Sequence, residues 1–115
     1  MSFSSMSRSV GRNIKRYGTE VTLRVRHKTG INLDDGLPVY DTQDHTLTAI
    51  LGRFRSSEIV EGVINFDDVK CTLQFSGLIK KEDVVIFGGR TLTIINTTEL
   101  IRGGKIVKHT LQLRI

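Results

Sequence analysis

Asp83-Val-Val-Ile-Phe87, Arg90-Thr-Leu-Thr-Ile-Ile-Asn96 and Ile106-Val-Lys-His-Thr-Leu-Gln-Leu-Arg114 are the three runs whose reading decides the fold. Gly88-Gly89 separates the first two and Gly103-Gly104 stands between the second and third. Paired glycines between extended runs signal tight hairpins, because glycine enters positive φ without steric cost. In the last run Val107, His109, Leu111, Leu113 and Ile115 share one face, while Lys108, Thr110, Gln112 and Arg114 share the other. Period-two alternation of this kind describes a sheet with one buried face.

Working outward, the same alternation recurs twice. Val21, Leu23, Val25 and His27 oppose Thr22, Arg24, Arg26 and Lys28, so a first strand carries its basic residues in a row on the solvent side. His27, closing the apolar row, is expected to be partly buried. Asp68 to Phe75 sets Val69, Cys71, Leu73 and Phe75 against Lys70, Thr72 and Gln74. A shorter strand is expected from Thr46 to Leu51, followed by a less regular segment from Arg53 to Gly62 that contains a turn. The expected fold class is mainly β: a single domain over residues 1–115, built as a small antiparallel β-barrel or sandwich of five to seven strands with a short N-terminal helix and one long loop.

The helix is expected from Ser9 to Tyr17, where Val10, Ile14 and Tyr17 recur at helical spacing and Gly18 supplies a stop. Residues 1–9, serine-rich and with little to bury, read as a flexible arm. Residues 30–45 read as the long loop: Asn32, Asp34, Asp35, Gly36, Pro38, Asp41 and Asp44 are turn formers, with no Lys or Arg among them. Their spacing does not fit a twelve-residue calcium loop, and an acidic segment that orders against a partner is the expectation.

Charge is unevenly placed in this chain of 115 residues and net charge +5. Met1 to Lys28 holds seven basic residues against Glu20 alone, a net of +6, which leaves −1 for the rest. A basic segment of this kind fits either nucleic acid or an acidic protein surface. The few aromatic residues lie mostly with the apolar faces, which argues against base stacking and leaves non-specific contact with DNA phosphates through the basic strand open.

Phosphate-loop, dinucleotide-fold and nucleophile-elbow motifs are absent, as is a paired Cys-x-x-Cys. His27, His45 and His109 are far apart in sequence, and Glu58 and Glu61 read as a solvated turn. Neither a metal nor a cofactor is expected, and the chain reads as a non-enzyme. The single cysteine, Cys71, reads as a small core residue that suits a reducing compartment. No apolar run is long enough for a membrane span, and no signal peptide is recognised. The isolated chain is expected to be a monomer, since the strand faces offered to solvent lack an apolar patch.

The ordered set of features resembles the head-tail joining proteins of tailed bacteriophages, the neck-ring components also described as head-closure or stopper proteins. The stretches that carry it are Arg16-Tyr17-Gly18 with Val21 to Arg26, the acidic loop, Ile50 to Arg55 through Glu58-Ile59 and Gly62 to Asp68-Val69-Lys70, then Asp83, the Gly88 to Arg90 hairpin, and Leu111 to Arg114. The resemblance implies a virion protein of the neck, made in the host cytoplasm, that assembles as a ring between a portal or adaptor ring and the tail and closes the DNA-filled head. On that reading Asp34, Asp35, Tyr40, Asp41 and Asp44 contact partners from the loop, and Arg8, Arg12, Lys15, Arg16, Arg24 and Arg26 do so from the arm and first strand. A tail-completion or tail-terminator protein and a small nucleic-acid-binding barrel are the competing expectations.

Overall fold

The computed structural model describes residues 2–60 and 63–115. Helix α1 (Phe3–Tyr17) precedes six strands: β1 (Thr19–Ile31), β2 (Pro38–Arg53), β3 (Val69–Leu73), β4 (Val84–Phe87), β5 (Arg90–Arg102) and β6 (Lys105–Arg114). The strands close into an antiparallel barrel in the order β1-β2-β3-β6-β5-β4, with β4 returning to β1 through Thr22↔Ile86, Leu23↔Val85 and Arg24↔Val84. The fold is therefore mainly β, and of the barrel and sandwich expected from the sequence it is the barrel.

Both glycine pairs behave as expected. Gly88 and Gly89 have φ of 60° and 76°, and Gly103 and Gly104 have 59° and 75°. Two consecutive positive-φ residues make the two-residue turn whose twist matches its flanking strands. Each turn is thus short; the β4–β5 ladder keeps one register, while the β5–β6 ladder shifts between Ile94 and Asn96 and between Leu100 and Ile101.

The interior is filled by alternate residues of every strand. Leu23, Leu73, Leu111, Leu113 and Val85 are fully buried, and Cys71 faces Leu111 across the β3–β6 ladder. Burying one such leucine stabilises by about 1.5–3 kcal/mol, so this row anchors the barrel. The β3–β4 connection must cross the barrel mouth, because those strands are not neighbours. Ile79 of that connection, nearly fully buried, joins the core there.

Several expectations need correction. The helix begins at Phe3, so the residues read as a flexible arm are largely helical. Ser2 caps the helix by accepting a hydrogen bond from the Ser5 N–H at 3.3 Å. Phe3, Met6, Val10 and Ile14 make one inward stripe, with Ser7 and Gly11 as its small members. Packing of that stripe on β6 and β2 supports a helix that local propensity alone would not. Tyr17, placed on the inward stripe from sequence, is 65% exposed.

The long loop is also shorter than expected. Only residues 32–37 lie between β1 and β2, and most of 30–45 is ribbon: Thr42 pairs with Arg26, Asp41 with His27 and Tyr40 with Lys28. Strands β2 and β5 each outrun the expected segment, β2 starting at Pro38 and β5 ending at Arg102. Finally, His27 and Ile115 are exposed and not on a buried face. For the β1–β2 ribbon the missing signal is alternation itself, since past the barrel rim both strand faces meet water.

The ribbon extends seven residues beyond Arg24, the last β1 position paired to β4, or roughly 23 Å at strand rise. It accounts for a long axis of 52 Å against 33 and 26 Å, and for a radius of gyration of 15.6 Å, where a compact chain of this length has about 13 Å.

Candidate functional site

The acidic and basic residues singled out in the sequence fall into two groups. The first lies on the β1–β2 ribbon. Arg24 and Asp44 face each other in register, and the guanidinium donates two hydrogen bonds to the carboxylate, Nε to Oδ1 at 2.8 Å and Nη2 to Oδ2 at 3.1 Å. That bidentate contact holds the Asp44 carboxyl below its ordinary range and raises the Arg24 guanidinium. On the same face the Arg26 guanidinium lies 4.4 Å from the centre of the Tyr40 ring. One acid and one base of the ribbon, Asp44 and Arg24, thus meet on a single face, although the sequence places them in separate segments.

Asp34 and Asp35 sit in the turn that ends the ribbon. The Leu37 N–H donates to Asp35 Oδ1 at 2.9 Å, and the Asp34 N–H donates to Asn32 Oδ1 at 2.9 Å. These side-chain bonds shape the turn in the manner usual for Asp and Asn. Asp41 is on the opposite face, across from His27.

The second group is Arg8, Arg12, Lys15 and Arg16, all exposed on the outer side of α1. The helix holds no acidic residue, and none of the four has an ion-pair partner among the described residues. Lys15 and Arg16 suit the negative end of the helix dipole, while the face as a whole is an uncompensated cationic strip.

Two features of the ribbon lay outside the sequence reading. Its end is apolar as well as acidic: Ile31, Leu33, Leu37 and Val39 are exposed large hydrophobics, Leu33 at 97%. The expectation of a surface without an apolar patch therefore fails here. The signal was present in Ile31-Asn-Leu-Asp-Asp-Gly-Leu-Pro-Val39, where four apolar residues are interleaved with the turn formers.

At the foot of the ribbon, its inner face and the β3–β4 connection enclose an open cleft of about 500 Å³. Val25, Phe75 and Leu78 supply apolar walls, and His27, His45 and Lys80 supply polar rims. The His45 ring meets Phe75 edge to face, centroids 4.9 Å apart. Among the described residues no carboxylate lines the cleft.

Two buried aspartates shape the frame. The Asp83 carboxylate accepts from the Arg26 and Lys80 N–H groups, each at 2.9 Å, and fastens the β3–β4 connection to β1. The Asp68 carboxylate accepts from Arg114 Nε and Nη2, from Gln112 Nε2 and from the Asn65 N–H. Arg114 above all holds the Asp68 carboxyl far below its ordinary range. Glu58 accepts from the Arg55 N–H at 2.9 Å and from Lys70 Nζ at 3.0 Å, whereas Glu61 lies outside the described residues. Among the described residues no cluster of three or more His, Cys, Asp or Glu could hold a metal ion, and no helix is long and apolar enough to cross a membrane.

Compared with known proteins, the chain matches no protein-family model and no curated protein.

Proposed function

We propose that this protein is a structural joining part of a tailed bacteriophage, a neck-ring subunit set between the portal or adaptor ring and the tail that helps to close the DNA-filled head. The order of sequence features supports the reading, and one structural observation carries it: a small closed barrel projects a ribbon about 23 Å long whose end is both apolar and acidic. Ring contacts are heterologous and need two different surfaces per subunit. The ribbon end and the cationic strip of α1 are two such surfaces, opposite in charge and carried on separate elements. Asp34 and Asp35 then act at the ribbon end, and Arg8, Arg12, Lys15 and Arg16 face the portal, the adaptor or packaged DNA.

The test adds purified protein to DNA-filled heads that lack it and scores retained DNA and attached tails. The wild-type chain restores both. A variant with residues 32–37 replaced by Asn-Gly keeps its melting temperature and restores neither. Wild-type protein that leaves heads leaking and tailless overturns the reading.

The helix strip favours a second reading, a nucleic-acid-binding barrel, because four cations without acidic neighbours fit a phosphate backbone. Tight binding to free duplex DNA that weakens steeply with salt would select it over the joining role.

A further inference from the structure

We propose that the ribbon end of one subunit seats in the cleft at the ribbon foot of a second copy of this chain, with Leu33 and Leu37 against the apolar walls and Asp34 beside Lys80 and His27. This rests on the ring reading and names the contact between neighbours.

Three observations lead to it. The ribbon end offers exposed apolar groups: Leu33 is 97% exposed and Leu37 62%. The turn that ends the ribbon, residues 32–37, carries the carboxylates Asp34 and Asp35 and no Lys or Arg. The cleft is the counterpart in both respects. Its walls are Val25, Phe75 and Leu78, and its rim carries His27, His45 and Lys80, with no acid among the described lining residues. Lys80 Nζ spends one donor on the Arg26 carbonyl at 3.1 Å, and an ammonium has two more. Its volume of about 500 Å³ admits the two leucine side chains with part of the turn.

The contact must be made between chains. His27 in the cleft and Leu33 at the end belong to the same ribbon: four residues of paired ladder, roughly 13 Å, separate His27 from Ile31, and Leu33 lies in the turn beyond, on a ladder that does not fold back on itself. End and cleft are different surfaces, so the contact is head-to-tail, and repeated it gives a closed ring or an open filament. A single end-to-cleft contact is small and weak in dilute solution, and ring closure strengthens it by making the last contact intramolecular.

The test uses cysteine pairs in the full-length chain. Asp34→Cys and Ser76→Cys proteins are mixed at high concentration under mild oxidation. Cys71 takes no part, since burial pushes its thiol up to about 12. The mixture is expected to give a disulfide-linked heterodimer, and a chain carrying both substitutions a ladder of oligomers. Adding Leu33→Ser and Leu37→Ser to the Asp34→Cys chain should lower the heterodimer yield about tenfold or more, as expected for removing two buried leucines. A yield no higher than that of Asp34→Cys mixed with Thr91→Cys, an exposed β5 position, overturns the proposal. Assembled rings without the Asp34–Ser76 cross-link overturn this contact and leave the joining role standing. Cross-linked oligomers that never join heads to tails support the contact and overturn the role.

Discussion

Asp68 and Asp83 hold equivalent places in two different parts of the barrel. Each is fully buried immediately before a strand, Val69 opening β3 and Val84 opening β4. Each accepts through Oδ2 from the N–H three residues earlier, Asn65 and Lys80, at 2.9 Å, and each donates its own N–H back to that residue's carbonyl at 3.1 Å. The second oxygen then reaches a distant strand: Asp68 Oδ1 takes Arg114 Nε of β6, and Asp83 Oδ1 takes the Arg26 N–H of β1. The two long connections are thus pinned by one device used twice.

Acid stability follows from the first of these. The Asp68 carboxyl ordinarily titrates near 3.8, and its bonds to Arg114, Asn65 and Gln112 hold it far lower in the folded chain. The folded state therefore binds this proton less readily than the unfolded one, so the stabilisation is complete above the ordinary value and drains away as pH falls below about 4. Urea unfolding from pH 7 down to pH 3 should show this loss, and Asp68→Asn should flatten it. At pH 7 Asp68→Asn should cost about 2–4 kcal/mol, because Gln112 and Arg114 lose a buried anionic partner.

Gly18 marks where the helix meets the barrel. It has an ordinary negative φ, yet a Cβ placed there would lie 2.7 Å from Thr48 Cγ2 and 3.0 Å from the Ala49 carbonyl, and would also run into the Ile14 carbonyl. Gly18→Ala should destabilise by roughly 1–3 kcal/mol, with faster hydrogen exchange along α1. Gly52→Ala, where a Cβ meets nothing within 4 Å, is the control and should leave stability unchanged or slightly raised.

The Arg24–Asp44 pair is exposed on both sides, so its contribution is screened by solvent and salt. A double-mutant cycle with Arg24→Ala and Asp44→Ala should give a small coupling that shrinks towards zero in 1 M salt. A large coupling that survives high salt would mean that the ribbon depends on this pair.

Cys71 is buried beneath the β3–β6 ladder, and its thiol is raised to about 12 by that burial. A thiol reagent at pH 8 should label the native protein only at the rate of global opening and the urea-unfolded protein at once. Rapid labelling of native protein would place Cys71 nearer the surface than the core packing allows.

What was legible in the sequence tracks what each strand touches. Strands β3 and β6 could be read because one face packs into the apolar core and the other carries polar residues that are only partly buried, apart from Gln112, which writes alternation into the residues. From His27 to Asp44 the ribbon has no core to face, so Thr, Asp, Gln and Lys occupy both sides and the turn-forming residues read as loop. The first turns of α1 were hidden for a different reason. Their inward stripe is thinned by Ser7 and Gly11, which let the helix approach Gln74, whose Nε2 donates to the Ser7 and Val107 carbonyls at 3.0 Å. Of the interaction residues, their charges were legible but their pairing was not. That Arg24 meets Asp44 depends on a register between residues twenty apart, set by the ribbon's turn and by the buried faces of β1 and β2 below it.

A barrel that closes leaves its strands no margin for further pairing, but the ribbon escapes that protection. Beyond Arg24 on β1 and before Ala49 on β2, the outward backbone N–H and C=O groups have no neighbouring strand. Lys28, the bulge between Lys28 and Gly30, and Pro38 at the ribbon end are the kinds of feature that discourage a stray strand from docking. A chain with Lys28→Val and Pro38→Val should therefore polymerise through its backbone while its barrel stays intact, and thioflavin fluorescence with unchanged core protection would report it.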